Sequence, residues 1–280
     1  MKRVLVTGAN GTLGLYIGKL FKNEYRYTGL GKKELDVTDI KQVGKLIRLY
    51  KPDIIIHLAA ITNVDKCEKF PKKTYLVNTQ GTKNIVDICR KENIILVFLS
   101  SSAIFPGQKK GYTETDIPNP INVYGKSKLE AENYIKENLK KFFIVRTGWI
   151  IGGGKKEKKF VSFIINDILS GRKIKVVNDK FGTLAYAKNL AEFLKIILEN
   201  NLSFGTYHFG SKGVCSRLDI ATQIAKIFKK ETVIQPVSSN NFKESFFAPR
   251  PKFEVLKSTK IPFRSTWKNT LKQYLQDEFI

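Results

Sequence analysis

Arg3-Val4-Leu5-Val6-Thr7-Gly8-Ala9-Asn10-Gly11-Thr12-Leu13-Gly14 decides the fold. A short apolar run ends in a glycine-rich turn, and the turn opens directly into the amphipathic segment Leu13–Lys22. Glycine there supplies a positive φ for a tight turn and lets the backbone approach a pyrophosphate. The new helix offers free N–H groups and the positive end of its dipole. Gly8, Asn10, Gly11, Thr12, Leu13 and Gly14 are therefore the first candidate cofactor residues. The spacing is GxxGxxG, and the strand-turn-helix context is what raises it above a chance glycine pattern.

Outward from this turn, short apolar runs alternate with longer amphipathic ones. Strands are expected at Tyr25–Gly29, Asp53–His57, Ile94–Ser100 and Phe142–Arg146, with helices at Asp39–Tyr50, Tyr75–Lys91 and Asn122–Leu139. With Arg3–Thr7 this gives an α/β chain whose parallel sheet is doubly wound in the Rossmann manner. Residues 1–150 read as the dinucleotide-binding domain, rejoined by segments near 175–210, and residues 151–280 as a smaller, mainly substrate-binding domain. In the second part helices are expected at Phe160–Leu169, Lys188–Asn200 and Arg217–Phe228, strands at Ile174–Val177 and Thr206–Phe209, and a closing helix at 267–279. Prolines 236, 249, 251 and 262 suggest an irregular lid, and Lys155–Lys159 a solvated loop.

The chain has 280 residues, with 49 Lys+Arg against 25 Asp+Glu, a net charge of +24. Nucleic-acid binding is the first inference from such a charge. Yet 40 of the basic residues are Lys and 9 are Arg, scattered along the chain, whereas bidentate readers of bases and phosphates rely on Arg. The charge is read as surface composition, and neither nucleic acid nor membrane is expected as a partner. Three widely spaced cysteines, without a CxxC pair, suggest neither a disulfide framework nor a thiolate metal site and fit a reducing, cytoplasmic setting. The longest apolar runs fall far short of the roughly 20 residues that span a bilayer. The apolar run after Lys2-Arg3 stops at Thr7-Gly8, too soon for a signal peptide.

The second strand is followed by Lys32 and Lys33, with no carboxylate until Glu34. Basic residues at that edge suit a 2′-phosphate, so NADPH is the expected cofactor, with NADH as the alternative. Tyr124 and Lys128 stand four residues apart in a helical segment, on one face, where an amine lies alongside a phenol. Ser100-Ser101-Ser102 follows the fourth strand, at the sheet edge where ligands bind. A phenol titrates near 10 and needs such neighbours to move a proton at neutral pH. His57, His208 and Trp267 read as structural, and no cluster of side chains has metal-ligand spacing.

Gly8–Gly14, Asp36-Val37, His57-Leu58-Ala59-Ala60, Asn78, the serine run and Tyr124-xxx-Lys128 fall in the order and spacing of the extended short-chain dehydrogenase/reductases, which the chain resembles. Within that family it is most similar to the dTDP-4-dehydrorhamnose reductases, on Ala59–Glu68, Asn122–Glu130, Arg146–Trp149, Asp179–Thr183, Arg250-Pro251 and Val255-Leu256. The resemblance implies NADPH-dependent reduction of the C4 ketone of a nucleotide-linked 4-keto-6-deoxysugar. It makes Ser101 the catalytic hydroxyl, Tyr124 the general acid, and Lys128 the ligand of the nicotinamide ribose that also lowers the tyrosine's pKa. Asp36 and Val37 would contact adenine, Ala59, Ala60 and Thr62 would line the cofactor, and Trp149 would contact the sugar. Val64, Ser102 and Arg250 join Trp149 as candidate substrate residues, with a homodimer left open as the assembly. Where the family has Ser-Thr-Asp-Tyr-Val-Phe, this chain has Ser100-Ser101-Ser102-Ala103-Ile104-Phe105, which keeps the hydroxyl but has no substrate-side acid. Gly182–Tyr186 also lacks a usual proline. An epimerase or dehydratase of the same superfamily, and a non-catalytic NADP-binding regulatory protein, are the alternatives.

Overall fold

The computed structural model of the chain describes residues 1–154, 160–200 and 202–280, so the Lys155–Lys159 loop lies outside the described residues. The first five strands are β1 (Arg3–Thr7), β2 (Arg26–Leu30), β3 (Ile54–His57), β4 (Ile95–Ser101) and β5 (Phe142–Thr147). They are followed by β6 (Trp149–Ile151), β7 (Ile174–Val177), β8 (Phe181–Gly182), β9 (Leu184–Tyr186) and β10 (Gly205–Phe209). The last three are β11 (Cys215–Ser216), β12 (Ile234–Val237) and β13 (Phe253–Glu254). The helices in the first half are α1 (Thr12–Phe21), α2 (Ile40–Tyr50), α3 (Val64–Lys69), α4 (Pro71–Thr74), α5 (Gly81–Glu92) and α6 (Val123–Asn138). In the second half they are α7 (Phe160–Leu169), α8 (Ala187–Glu199), α9 (Arg217–Phe228) and α10 (Trp267–Glu278).

A six-stranded parallel sheet in the order β10-β5-β4-β3-β1-β2 forms the centre. Alternation along each strand fills two layers. Val4, Val6, Ile54, Ile56, Val97, Phe143 and Val145 pack with Leu13, Ile17 and Phe21 of α1 and with Leu190, Leu194, Leu271 and Leu275 of α8 and α10. Leu5, Ile55, Leu96, Phe98 and Ile144 point to the other side, against Val43, Ile47, Ile85, Val86, Ala131 and Ile135 of α2, α5 and α6. Strands buried on both faces are what a doubly wound sheet requires, so the apolar runs follow from the topology. The chain winds outward from β1 to β2, then returns to β3 on the other side of β1. The order therefore reverses between β1 and β3, and a crevice opens beyond their carboxyl ends.

Local signals set the helix ends. Asp39 accepts from the amides of Lys41 and Gln42 at the start of α2, and Ser216 with Asp219 forms a reciprocal box at the start of α9. The sixth strand, β10, lies on the far edge of the sheet beside β5. Two expectations are corrected. Ile174–Val177 does not join the sheet but pairs with β12, which carries Pro236 opposite Val176. A two-stranded ribbon tolerates the missing proline amide, so this part of the expected lid is sheet. Tyr75–Lys91 is not one regular helix: Tyr75–Gln80 is a π-helical turn that leads into α5. Among the described residues no helix is long and apolar enough to cross a membrane.

Candidate active site

The glycine turn lies at the crevice. Gly8 has φ +67°, and a Cβ there would stand 2.8 Å from the Ala59 amide, so the loops after β1 and β3 meet through bare backbone. Helix α1 starts at Gly11 without a side-chain cap and without an acid in its first turn, which leaves its first amides open to an anion. Asn10 and Gly11 are exposed and Thr12 is half-buried, while Leu13 and Gly14 are buried beneath them. Lys32 and Lys33 stand exposed just past β2. The Asp36 carboxylate accepts from the Thr38 amide and hydroxyl, contacts that hold its pKa below the usual carboxylate range, and Val37 is buried against Gly81. Across the crevice, Ala59 and Ala60 are half-buried and Thr62 is exposed.

Asn78, in the π-helical turn, ties this loop to the catalytic helix. Its Oδ1 accepts from the Ile61 amide at 2.8 Å, and its Nδ2 donates to Ile61 O at 3.0 Å and to Ser127 Oγ at 3.1 Å. Turns of this kind concentrate at functional sites, and here the widened turn accompanies a buried amide that serves two elements at once.

The start of α6 is fixed from three directions. Asn122 Oδ1 accepts from the Gly125 amide at 2.8 Å, Asn122 Nδ2 donates to Pro249 O at 2.9 Å, and the Val123 amide donates to Glu68 at 3.0 Å. A Cβ on Gly125 would stand 2.2 Å from Ala103 O, so α6 presses directly on the turn after β4. That contact places Tyr124 in hydrogen-bond reach of Ser101. Burial pushes the Tyr124 phenol up to about 12, and the Ser101 hydroxyl is the group that opposes the rise. Lys128, 3% exposed, holds its ammonium 3.8 Å from the centre of the Phe98 ring. It makes no hydrogen bond or ion pair among the described residues. Burial lowers its pKa to about 7, against the pull of Glu132 one turn further on. The structure thus brings Ser101, Tyr124 and Lys128 together at the crevice, with Ser101 rather than Lys128 acting on the phenol.

The second part of the chain supplies the opposite wall. Trp149 Nε1 donates to Glu254 Oε2 at 2.7 Å, and the Arg217 guanidinium lies 5.2 Å from the Trp149 ring and 4.7 Å from that of Phe160. Arg250 donates to Asp65 at 3.1 Å beside the half-buried Val64, and Lys180 donates to Arg250 O at 2.9 Å. Ser102 is 2% exposed, buried in the turn after Ser101 rather than open to the cleft. Glu254 and Arg217 are site residues that the sequence does not announce. Glu254 lies between Arg250-Pro251 and Val255-Leu256, but no spacing or period marks it.

His57 is buried with Thr7 Oγ1 at 2.7 Å and Thr82 Oγ1 at 3.1 Å, and burial pushes it down to about 3, so it is neutral and structural. His208 is likewise buried, 2.8 Å from Lys257 O and 3.4 Å from Arg146 Nη1. Trp267 packs against the core.

The family model described as RmlD substrate binding domain matches residues 1–279. The spore coat polysaccharide biosynthesis protein SpsK of Bacillus subtilis is 32% identical over 99% of this chain and 98% of its own. The dTDP-4-dehydrorhamnose reductase of Aggregatibacter actinomycetemcomitans is 32% identical over 97% of this chain and 98% of its own. Among solved structures, the dTDP-4-dehydrorhamnose reductase of Bacillus anthracis in complex with NADP superposes with a TM-score of 0.92. It is 33% identical and covers 99% of both chains.

Proposed function

The chain belongs to the RmlD substrate binding domain family, and on that premise we propose that it uses NADPH to reduce the C4 ketone of a dTDP-linked 4-keto-6-deoxysugar. The convergence of Ser101, Tyr124 and Lys128 on the crevice between β1 and β3 carries this reading. The residues fit the cofactor. The uncapped start of α1 suits its pyrophosphate, Lys32 and Lys33 a 2′-phosphate, and the unpartnered Lys128 ammonium the ribose hydroxyls.

When bound, the nicotinamide supplies the hydride that adds to C4. Tyr124 is protonated throughout the neutral range, because its pKa is raised, and so it can hand its phenolic proton to the oxygen on which charge develops. Ser101, whose hydroxyl neighbours that phenol, is placed to hold the same oxygen. Arg217, Arg250 and Lys180 surround the opposite wall with positive charge suited to a diphosphate. The work is assigned to the cytosol, a reading supported by three buried cysteines that form no disulfide. An epimerase or a dehydratase would return the cofactor in its starting redox state. Mass analysis therefore tests the reading: incubation with NADPH and a dTDP-4-keto-6-deoxysugar yields a nucleotide sugar heavier by one hydride and one proton. Recovery of an isomer of equal mass supports the epimerase instead.

A further inference from the structure

Glu254 is half-buried, and the protein holds one of its two carboxylate oxygens. Its Oε2 accepts from Trp149 Nε1, and among the described residues its side chain makes no further hydrogen bond and no ion pair. The cations around it are engaged elsewhere: Arg250 with Asp65, Lys180 with Arg250 O, Arg217 over two aromatic rings. The Trp149–Glu254 contact is itself built in. Trp149 lies directly on Gly182, where a Cβ would stand 2.5 Å from the indole, and Glu254 is in register with Gly182 across the β8–β13 pair. The charge of Glu254 also reaches the Tyr124 hydroxyl, so the two groups lie near one another. Opposite it, the turn after β4 has Ser102 and Ala103, both buried, and offers the cleft no carboxylate.

We propose that Glu254 is the sugar-binding carboxylate of this chain: with Oε2 held by Trp149, its Oε1 accepts a hydrogen bond from a ring hydroxyl next to the C4 carbonyl. The acid that the turn at Ser102 does not provide is thereby supplied from β13, on the other wall of the cleft. The assignment rests on the nucleotide-sugar reading above. Glu254 selects substrates by that hydroxyl and leaves the nucleotide to the cations.

Calorimetric titration of dTDP and of dTDP-rhamnose separates the two contributions without turnover. Wild type binds dTDP-rhamnose more tightly than dTDP. Glu254→Ala lowers that preference by about tenfold to a hundredfold, the value of a hydrogen bond to a charged group, while its affinity for dTDP alone is kept or increased. Glu254→Gln retains an acceptor for Trp149 and carries the test should the alanine variant fold poorly, and it shows a smaller loss in the same direction. An unchanged preference in a folded variant overturns the role of Glu254 and leaves the reductase reading standing. If wild type binds neither ligand, the nucleotide-sugar reading fails, and the role of Glu254 with it.

Discussion

Arg146 on β5 and Glu132 on α6 meet inside the protein, Nη2 to Oε2 at 2.7 Å and Nε to Oε1 at 3.0 Å, with both side chains almost wholly excluded from solvent. Glu132 also stands one turn after Lys128, and the Arg146 guanidinium lies 5.4 Å from the Phe105 ring. The pair therefore locks the catalytic helix to the strand beside the serine turn. Breaking one partner strands a buried charge, so Arg146→Met or Glu132→Leu alone costs about 3–5 kcal/mol of stability. The double variant restores charge balance and costs less than either single change, a coupling that urea denaturation of all four proteins reads directly. Additive losses would show that the pair is not the link.

Lys128 carries a pH signature in the free protein. Burial lowers its folded pKa to about 7 from the 10.5 of an open lysine, so the unfolded chain holds more protons across that interval. Stability then rises with pH from about 7 toward 10.5, by up to about 1.4 kcal/mol per pH unit, and the cost of the buried charge is fully present below 7. Lys128→Met removes the rise. Urea midpoints against pH for the two proteins check this, and parallel curves would contradict it.

The coenzyme preference is assigned to the edge beyond β2. Lys32→Ala with Lys33→Ala weakens NADPH binding about tenfold or more and leaves NADH binding unchanged, since only the former carries the 2′-phosphate. Fluorescence titration of both coenzymes distinguishes this from a general loss of surface charge, which would weaken both.

Much of this site was legible in the chain because its parts are local. Gly8–Gly14 is one turn, Tyr124 and Lys128 share one helix face, and Ser101 ends one strand, so spacing alone carries them. The strands of the sheet were legible because burial on both faces makes Ile54-Ile55-Ile56 and Leu96-Val97-Phe98 continuous apolar runs. Glu254 and Arg217 were not, because they come from a two-residue strand and a helix start more than ninety residues after Tyr124, and only the fold brings them to Trp149. Pro236 misled for a physical reason: it argues against a central strand and says nothing against a two-stranded ribbon. The π-helical turn at Tyr75–Gln80 was hidden as well, since a single widened turn scarcely disturbs a helical period.

The central claim is that Tyr124 donates the proton that completes ketone reduction. Stopped-flow oxidation of NADPH by a dTDP-4-keto-6-deoxysugar, in wild type and in Tyr124→Phe, tests it most directly. The expected result is a fall in the rate of about a hundredfold or more with coenzyme affinity unchanged. A wild-type protein no faster than Tyr124→Phe would contradict it.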